Sequence, residues 1–533
     1  MVVPELRPWR AARPQVVRIA NAVRPRLARA GAAAKPRIAR LTRALRSRTP
    51  ALPRPQAVKT WQYTAAATTA GLALAAGVVT TAGPWDANGQ RTAERERAAA
   101  LERTGGADHG RSGTSVDAPR PAPSAGPVLV GLDGSTSAVG TKKAAPGGKP
   151  LPDVLGPLLD AAALGGTHAA AVVDVATGRR LYGADAGEAL TPASTTKIAT
   201  AVAALSALGP DHRFTTRAAL EPDTGELVLV GGGDPTLTAR KNADGWAGLR
   251  DLAANTAKAL QKRGIHEVTL SYDTTLYSGP SVHPIGVNDN LAPVSALIAD
   301  EGRTDDSSSG PAPRVSDPAK DAASRFATFL KAAGITTTPP GPSKASTRAQ
   351  TLATVSSPPL SEVVERMLTN SDNDIAEALA RQTALTSGLP GSFDGGAKAI
   401  SARLTKLGLP MSGASFHDGS GLDRDDRLTP DLLTALLVTA GDPDRPGLRP
   451  VLTGLPVAGF TGTLADRFTD SAAGAVRAKT GTLTGVNTLA GTVVDADGRL
   501  LAFAFMASGT TNPGEAESAL DKTATALAAC GCG

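Results

Sequence analysis

The stretch LTPASTTKIATAVAALSALG, residues 190–209, restricts what this chain can fold into more than any other. Ile198, Val202 and Leu205 recur at helical spacing with alanines between them, and Gly209-Pro210 ends the run. This pattern predicts a buried helix over 193–208. Pro192 stands at its entry, where a missing N–H costs nothing. Ser194 falls in the first turn and Lys197 follows at i+3, so both side chains leave the same face. A serine hydroxyl is a weak nucleophile at neutral pH and needs a base or a cation beside it. A lysine one turn away in a dry cleft supplies either. A first-turn serine also serves as a plain helix cap, and this tetrapeptide alone does not separate the two roles.

Two later stretches bear on that choice. Ser371-Asp372-Asn373 lies in MLTNSDNDIAEALAR, and Lys479-Thr480-Gly481-Thr482 lies in AGAVRAKTGTLTGV. Alone, the first reads as a cap on the helix DIAEALAR and the second as a turn at a strand end. Together and in this order, the three elements form a Ser-x-x-Lys, Ser-x-Asn, Lys-Thr-Gly set, which resembles that of penicillin-binding proteins and serine β-lactamases.

The 533 residues allow two or three domains and a large core. Aromatic residues make up only 3% of the chain, so packing must rely on small and aliphatic side chains. Cys530 and Cys532 fall within the last four residues, too close to the end for a disulfide framework to hold the fold, and read as a tail feature. The net charge of +7 is divided unevenly. The first 60 residues carry 15 Lys and Arg against one acid, Glu5, while the remainder carries 41 bases and 48 acids. A mildly acidic body thus follows a strongly basic leader.

Residues 1–60 read as a disordered cytoplasmic segment, broken by Arg24-Pro25-Arg26 and Lys35-Pro36-Arg37. No charge occurs from Trp61 to Trp85, and Trp61, Tyr63 and Trp85 flank an Ala- and Thr-rich core. The span 61–84 is long enough for a transmembrane helix or signal anchor. Basic residues precede it, so the positive-inside rule puts the N-terminus in the cytoplasm and the rest outside a bacterial cell membrane. Export followed by signal cleavage is the alternative, which the long leader fits poorly. A nucleic-acid-binding arm is a further reading of the leader, but the uncharged run separates that arm from the folded body. Residues 85–150 are rich in Gly, Ser, Pro, Ala and charge and read as a flexible linker, with a short apolar island at 128–132.

The folded part begins near Leu151 with a short helix. HAAAVVDVATGRRLYG then reads as a hairpin turning at Thr177-Gly178. At the other end, 475–483 reads as a strand carrying Lys479. It is followed by a hairpin turning at Asp495–Gly498 and a closing helix over 513–529. Strands from both ends with helices between predict an α+β fold, one antiparallel sheet flanked by helices, built from 151–210 and 351–533. The 177 positions from Ser194 to Ser371 exceed any loop. Strands around Gly231–Asp234, a helix in GLRDLAANTAKALQKRGI and a strand in HEVTLSYDTT predict an inserted α/β subdomain over 211–350.

Further segments, GGGDPTLT at 231–238, APVSALIADEGR at 292–303 and HDGSGLDRDDRLTP at 417–430, carry a narrower resemblance over roughly 151–530. The chain resembles the D-alanyl-D-alanine carboxypeptidases/endopeptidases among low-molecular-mass penicillin-binding proteins with an inserted domain. The resemblance implies the β-lactamase/transpeptidase-like fold, peptidoglycan stem peptides as substrate and β-lactams as covalent inhibitors. It implies Ser194 as nucleophile, Lys197 as proton acceptor, and Ser371 as a proton carrier between Lys197 and the leaving amine. Asn373 would bind a substrate carbonyl, and Lys479 would add positive charge. Thr480, Gly481 and Thr482 would form the binding strand, with the threonine hydroxyls on the terminal carboxylate and the N–H groups of Ser194 and Thr482 as oxyanion hole. Strand alternation puts Thr480 and Thr482 on one face and Lys479 on the other, unless twist brings its amine back to the serines.

His417 and Asp418 invite a triad or metal reading, but a His without a spaced partner reads as a loop residue. No cluster has metal-ligand spacing and no Gly-rich loop precedes Lys-Ser/Thr, so neither metal nor other cofactor is expected. A β-lactamase shares the nucleophile, but no deacylating acid is identifiable. A non-catalytic cell-wall binding protein would tolerate the decay of a motif, and all three are intact.

Overall fold

The structure, a computed structural model, describes residues 150–531 apart from 244 and 469–471. The expected leader at 1–60, transmembrane helix at 61–84 and linker up to 149 lie outside the described residues. Among those described, no helix is long and apolar enough to cross a membrane.

Helix α1 (Leu151–Leu159) opens the body, followed by β1 (Thr167–Asp174) and β2 (Arg180–Ala184). A 3₁₀ turn (Ala193–Thr195) runs into α2 (Thr196–Leu208). Next come β3 (Thr215–Leu220), β4 (Leu227–Val230), α3 (Leu249–Gln261), β5 (Glu267–Val268) and β6 (Leu270–Asp273). After these lie α4 (Pro318–Ala332), β7 (Thr336–Thr337), β8 (Gly341–Pro342) and β9 (Gln350–Ser356). A helical stretch holds α5 (Leu360–Asn370), α6 (Asn373–Thr386), α7 (Phe393–Lys406) and α8 (Pro430–Gly441). Finally β10 (Val476–Leu483), β11 (Val486–Val494) and β12 (Leu500–Ser508) lead to α9 (Pro513–Ala529).

The main sheet has the order β10-β11-β12-β1-β2, with every pairing antiparallel. Its middle strand shows how the two faces differ. Along β12, Leu501, Phe503 and Phe505 point into one core with Leu155 and Leu159 of α1 and Leu520 and Leu527 of α9. The alternate residues Ala502, Ala504 and Met506 point into the other core, with Ile198 and Val202 of α2 and leucines of α8. Period-2 alternation therefore sorts large rings to the outer helices and small side chains to the face that α2 must approach. Burying each Phe contributes roughly 1.5–3 kcal/mol.

The second sheet has the order β8-β6-β4-β3-β9. β4, β6 and β8 run parallel, with α3 and α4 as the crossovers between them, and β3 is antiparallel to both neighbours. Leu227 and Leu229 pack there with Leu252, Leu260, Phe326 and Leu330. Strand β9 crosses the expected boundary at 350/351. Because Thr215–Leu220 pairs with Gln350–Ser356, the chain returns to the core around α2 only after Ser356. At the other end Cys530 is buried in the first core and disulfide-bonded, so the terminal cysteine is part of the body rather than a loose tail feature.

Candidate active site

Ser194 sits in the 3₁₀ turn rather than in the α-helix proper, and the turn is strained: Ala193 has φ 47°. A non-glycine residue held there costs about 1–3 kcal/mol and persists only when its surroundings impose it. Three hydroxyl or amide groups converge on the carbonyl of Pro192, namely Thr195 N (3.3 Å), Thr195 Oγ1 (2.7 Å) and Thr488 Oγ1 of β11 (2.9 Å). Pro192 thus anchors the turn to the sheet as well as opening the helix.

Lys197 is fully buried. Its Nζ donates to Ser194 Oγ (2.9 Å), Asn373 Oδ1 (2.6 Å) and the Ser420 carbonyl (2.7 Å). Burial lowers its pKa to about 8, with Asp418, Glu377, Asp372 and Asp374 pulling the other way. Lys479 is also fully buried. Its Nζ donates to Ser371 Oγ (2.9 Å) and the Thr480 carbonyl (2.8 Å). Burial first, then Lys197 and Arg467, push its amine well below the usual lysine range. Ser371 therefore meets the Lys479 amine, whereas Lys197 spends its three donors elsewhere. Ser371 is the left-handed cap of α5, φ 57°, and Asp372 caps α6 by accepting from Ile375 N (3.0 Å). The motif is both a helix-to-helix joint and part of the site.

Strand alternation holds along β10: Lys479 turns inward while the hydroxyl of Thr480 bonds Thr463 Oγ1 (2.9 Å). Thr482 donates to Glu517 Oε1 of α9 (3.1 Å). Only glycine fits at 481, where a Cβ would lie 2.1 Å from Thr488 Oγ1 and 3.1 Å from Ser194 N. That clearance brings the edge-strand backbone against the serine. A cleft of about 280 Å³ lies between them, lined by Ser194, Asn290, Ser371, Asn373, Thr480 and Thr482.

The residues that sequence reasoning missed lie behind the lysine. Asp418 is buried and accepts from Ser420 N (3.0 Å), Gly421 N (2.6 Å) and Asp423 N (2.8 Å). It also accepts from Ser420 Oγ (3.1 Å), and His283 Nε2 lies 3.0 Å away. Burial would raise its pKa, but the bonds from His283 and the backbone outweigh that and hold it at about 2. Glu377 accepts from Gly419 N (3.0 Å), while burial and then Asp418 raise its pKa to about 7. The Asp-x-Ser-Gly pattern was a usable signal, since a short acid readily accepts N–H groups two and three residues on. No signal links His283 to Asp418 across 135 positions.

Two buried clusters of ligand-type side chains occur among the described residues: His283, Glu377 and Asp418, and Glu301, Asp372 and Asp374. Positive charge is supplied to both by the protein. Lys197 and Arg381 face the first. Arg303 (2.7 Å) and Arg366 (3.2 Å) hold Glu301, and Arg314 lies 3.0 Å from Asp374. Both read as internally compensated networks rather than cation cages.

Two serine–lysine pairs meeting on the edge strand of an antiparallel sheet assign the chain to the active-serine enzymes of the β-lactamase/transpeptidase-like fold. The model of the D-Ala-D-Ala carboxypeptidase 3 (S13) family matches residues 154–313 and 305–528, and the chain belongs to that family. It is 37% identical over 380 residues to a carboxypeptidase of Mycobacterium tuberculosis, covering 69% of this chain and 81% of that one. It is 31% identical over 435 residues to a D-alanyl-D-alanine carboxypeptidase of an Actinomadura species, covering 67% and 80%. Penicillin-binding protein 4 of Haemophilus influenzae shares the fold, with a TM-score of 0.58 at 22% identity over 70% of this chain and 98% of that one.

The buried amines tie stability to pH. Lys197 has a lower pKa folded (about 8) than unfolded (near 10.5), so its burial cost is complete below pH 8. As pH rises from 8 to 10.5 the native state sheds a proton that the unfolded chain keeps, and stability rises. The gap corresponds to roughly 3 kcal/mol at most. Urea unfolding at pH 7.5, 9 and 10 should show this rise in the wild type and a shallower one in Lys197→Met. Parallel curves would refute the assignment.

Proposed function

We propose that the chain is a serine-type D-Ala-D-Ala carboxypeptidase and DD-endopeptidase that acts on peptidoglycan stem peptides through an acyl-enzyme on Ser194. The observation that carries this reading is the Lys197 amine, 2.9 Å from Ser194 Oγ and with a pKa of about 8 from burial. Near neutral pH a useful fraction of Lys197 is uncharged and can take the serine proton. Ser194 Oγ attacks the carbonyl between the last two D-alanines, and the oxyanion forms against the N–H groups of Ser194 and Thr482. The C–N bond then breaks, the Lys197 ammonium gives its proton to the departing D-alanine amine, and an ester remains on Ser194. Water hydrolyses that ester in the second half-reaction. The substrate's carboxylate supplies Lys479 with a counter-charge that offsets the desolvation depressing its amine and so raises its proton affinity.

The same geometry supports covalent capture of β-lactams, whose strained amide offers an equivalent carbonyl. The Haemophilus penicillin-binding protein 4 is also solved with a β-lactam, at a TM-score of 0.55 and 23% identity. A fluorescent penicillin should label the wild type and not Ser194→Ala, with the rate rising with pH and levelling above about 8. Mass spectrometry that located the adduct on Ser371 would overturn the assignment.

Glu517 supports an endopeptidase share of the activity. Its carboxylate already occupies the Thr482 hydroxyl and disfavours a second carboxylate there. Glu517→Gln should raise kcat/KM on a peptide ending in free D-alanine by roughly two- to fivefold, the range of an exposed charge pair. Turnover of the C-terminally amidated peptide should stay the same. Equal changes on both peptides would show that Glu517 does not read the terminus.

We also propose that residues 61–84 anchor the enzyme on the outer side of the bacterial membrane. The step from the basic leader to an uncharged run supports this. Alkaline phosphatase fused after residue 150 should be active and membrane-bound; an inactive fusion would contradict the topology.

A further inference from the structure

We propose that His283, contributed by the segment between β6 and α4, is a positioning residue for Lys197, acting through Asp418 and the Ser420 carbonyl. The inference rests on the reading of Ser194 and Lys197 given above. Of the three acceptors of Lys197, only Ser194 belongs to its own turn. The other two are set by the 283–292 stretch, 86 to 95 positions further along the sequence.

Asn373 is the first. Its Oδ1 faces Lys197 because its Nδ2 donates to the Asn290 carbonyl (2.9 Å), which fixes the amide's orientation. Asp374, next in sequence, accepts from Ala292 N (3.0 Å). The Ser420 carbonyl is the second. It points at Lys197 because residues 418–423 wrap around the Asp418 carboxylate, with three backbone N–H groups turned inward. His283 closes that ring from outside.

The histidine's own contacts define its state. Nδ1 accepts from Ile285 N (3.2 Å), so the proton sits on Nε2, which donates to Asp418 Oδ2 at 3.0 Å. A neutral imidazole meets both bonds, and the negative charge of Asp418 stays available to the Lys197 amine. The ring is held edge-to-face on Phe393, centroids 5.1 Å apart, within a small cluster of Phe393, Leu291 and Val294. Leu422 of the Asp418 loop packs on the same cluster. The charged and titratable groups facing His283 are Asp418, Glu377 and Asp423, with Arg381 on the Phe393 ring (4.3 Å). His283 does not line the cleft, so it acts on the reaction only through other groups.

Without His283 the Asp418 loop loses its outer donor, the Ser420 carbonyl is no longer held on Lys197, and the charged lysine loses an acceptor. Asp418 keeps its three backbone N–H donors and stays ionised. The lost acceptor lowers the proton affinity of Lys197. The acidic limb of acylation should therefore move to lower pH, while the plateau falls because the amine is misplaced.

The test compares purified wild type, His283→Ala and His283→Gln in acylation by a fluorescent penicillin from pH 5 to 10. Saturation kinetics separate the binding constant from the acylation step, and Tm is followed alongside. His283→Ala should lose roughly ten- to a hundredfold in the acylation step, as about an ångström of misplacement costs. Its limb should shift downward and its binding constant stay unchanged. His283→Gln, which keeps a donor, should recover most of the rate. A lower Tm with an unmoved limb and a wild-type rate in the folded fraction would make His283 merely structural and overturn the inference. A wild type that acylates at Ser194 while the Ala variant keeps its profile overturns this inference alone. A wild type without any Ser194 adduct overturns the functional reading and this inference with it.

Discussion

The rest of the structure depends on keeping one ammonium group dry. A lysine amine with no exposed surface loses its hydration, which costs several kcal/mol unless hydrogen-bond acceptors replace the water. Lys197 is given three oxygens, each from a different part of the chain: its own turn, the start of α6 and the loop after α7. None can be displaced without leaving a buried donor unmet. Replacement by oxygens rather than by a single carboxylate matters for the chemistry. It leaves the amine with a proton affinity low enough to act as a base near neutrality, while the acids that oppose the shift stand one step further away.

That arrangement dictates where small residues and strain occur. The serine turn must lie against the sheet, so the facing residues of β12 are Ala502, Ala504 and Met506, while the phenylalanines fill the core on the opposite face. The edge strand must lie against the serine, so position 481 has no side chain. The loop that supplies Ser420 must pass the Ala193 carbonyl, where a Cβ on Gly421 would lie 1.9 Å from the oxygen, and Gly421 has φ 81°. Ala193 and Ser371 accept left-handed backbone at the two serines themselves. Such local strain is tolerated because packing on every side removes the alternatives.

Charge is balanced over the same region. Two fully buried lysines stand beneath the serines, the acids Asp418, Glu377, Asp372 and Asp374 surround Lys197, and Arg303 and Arg314 line the cleft beside Asp372 and Asp374. Glu301, which has positive φ, joins the second sheet's connections to Asp372 and Asp374. The segments between β4 and β9 are thus bound to the rest of the body by charge, by hydrogen bonding and by the small apolar cluster of Leu291, Val294 and Phe393, whereas their own core is a separate apolar cluster.

Short-range patterns by themselves determined the elements and most of the side chains that meet in the candidate site. Helical spacing announced α2, the hairpin about the Asp495–Gly498 turn announced β11 and β12, and Ser194, Lys197, Ser371, Asn373 and Lys479 stood in motifs whose order and chemistry were legible. These features are local because helix and strand periodicity are properties of a few consecutive residues. Tertiary structure alone decided which amine meets which serine, that Lys479 rather than Lys197 serves Ser371, and that β9 closes the second sheet. It alone brought His283 to Asp418 and the Asn290 carbonyl to Asn373. Those contacts join residues 83 to 135 positions apart, and two of the three acceptors of Lys197 depend on main-chain carbonyls, which every residue has and which therefore leave no mark in a sequence.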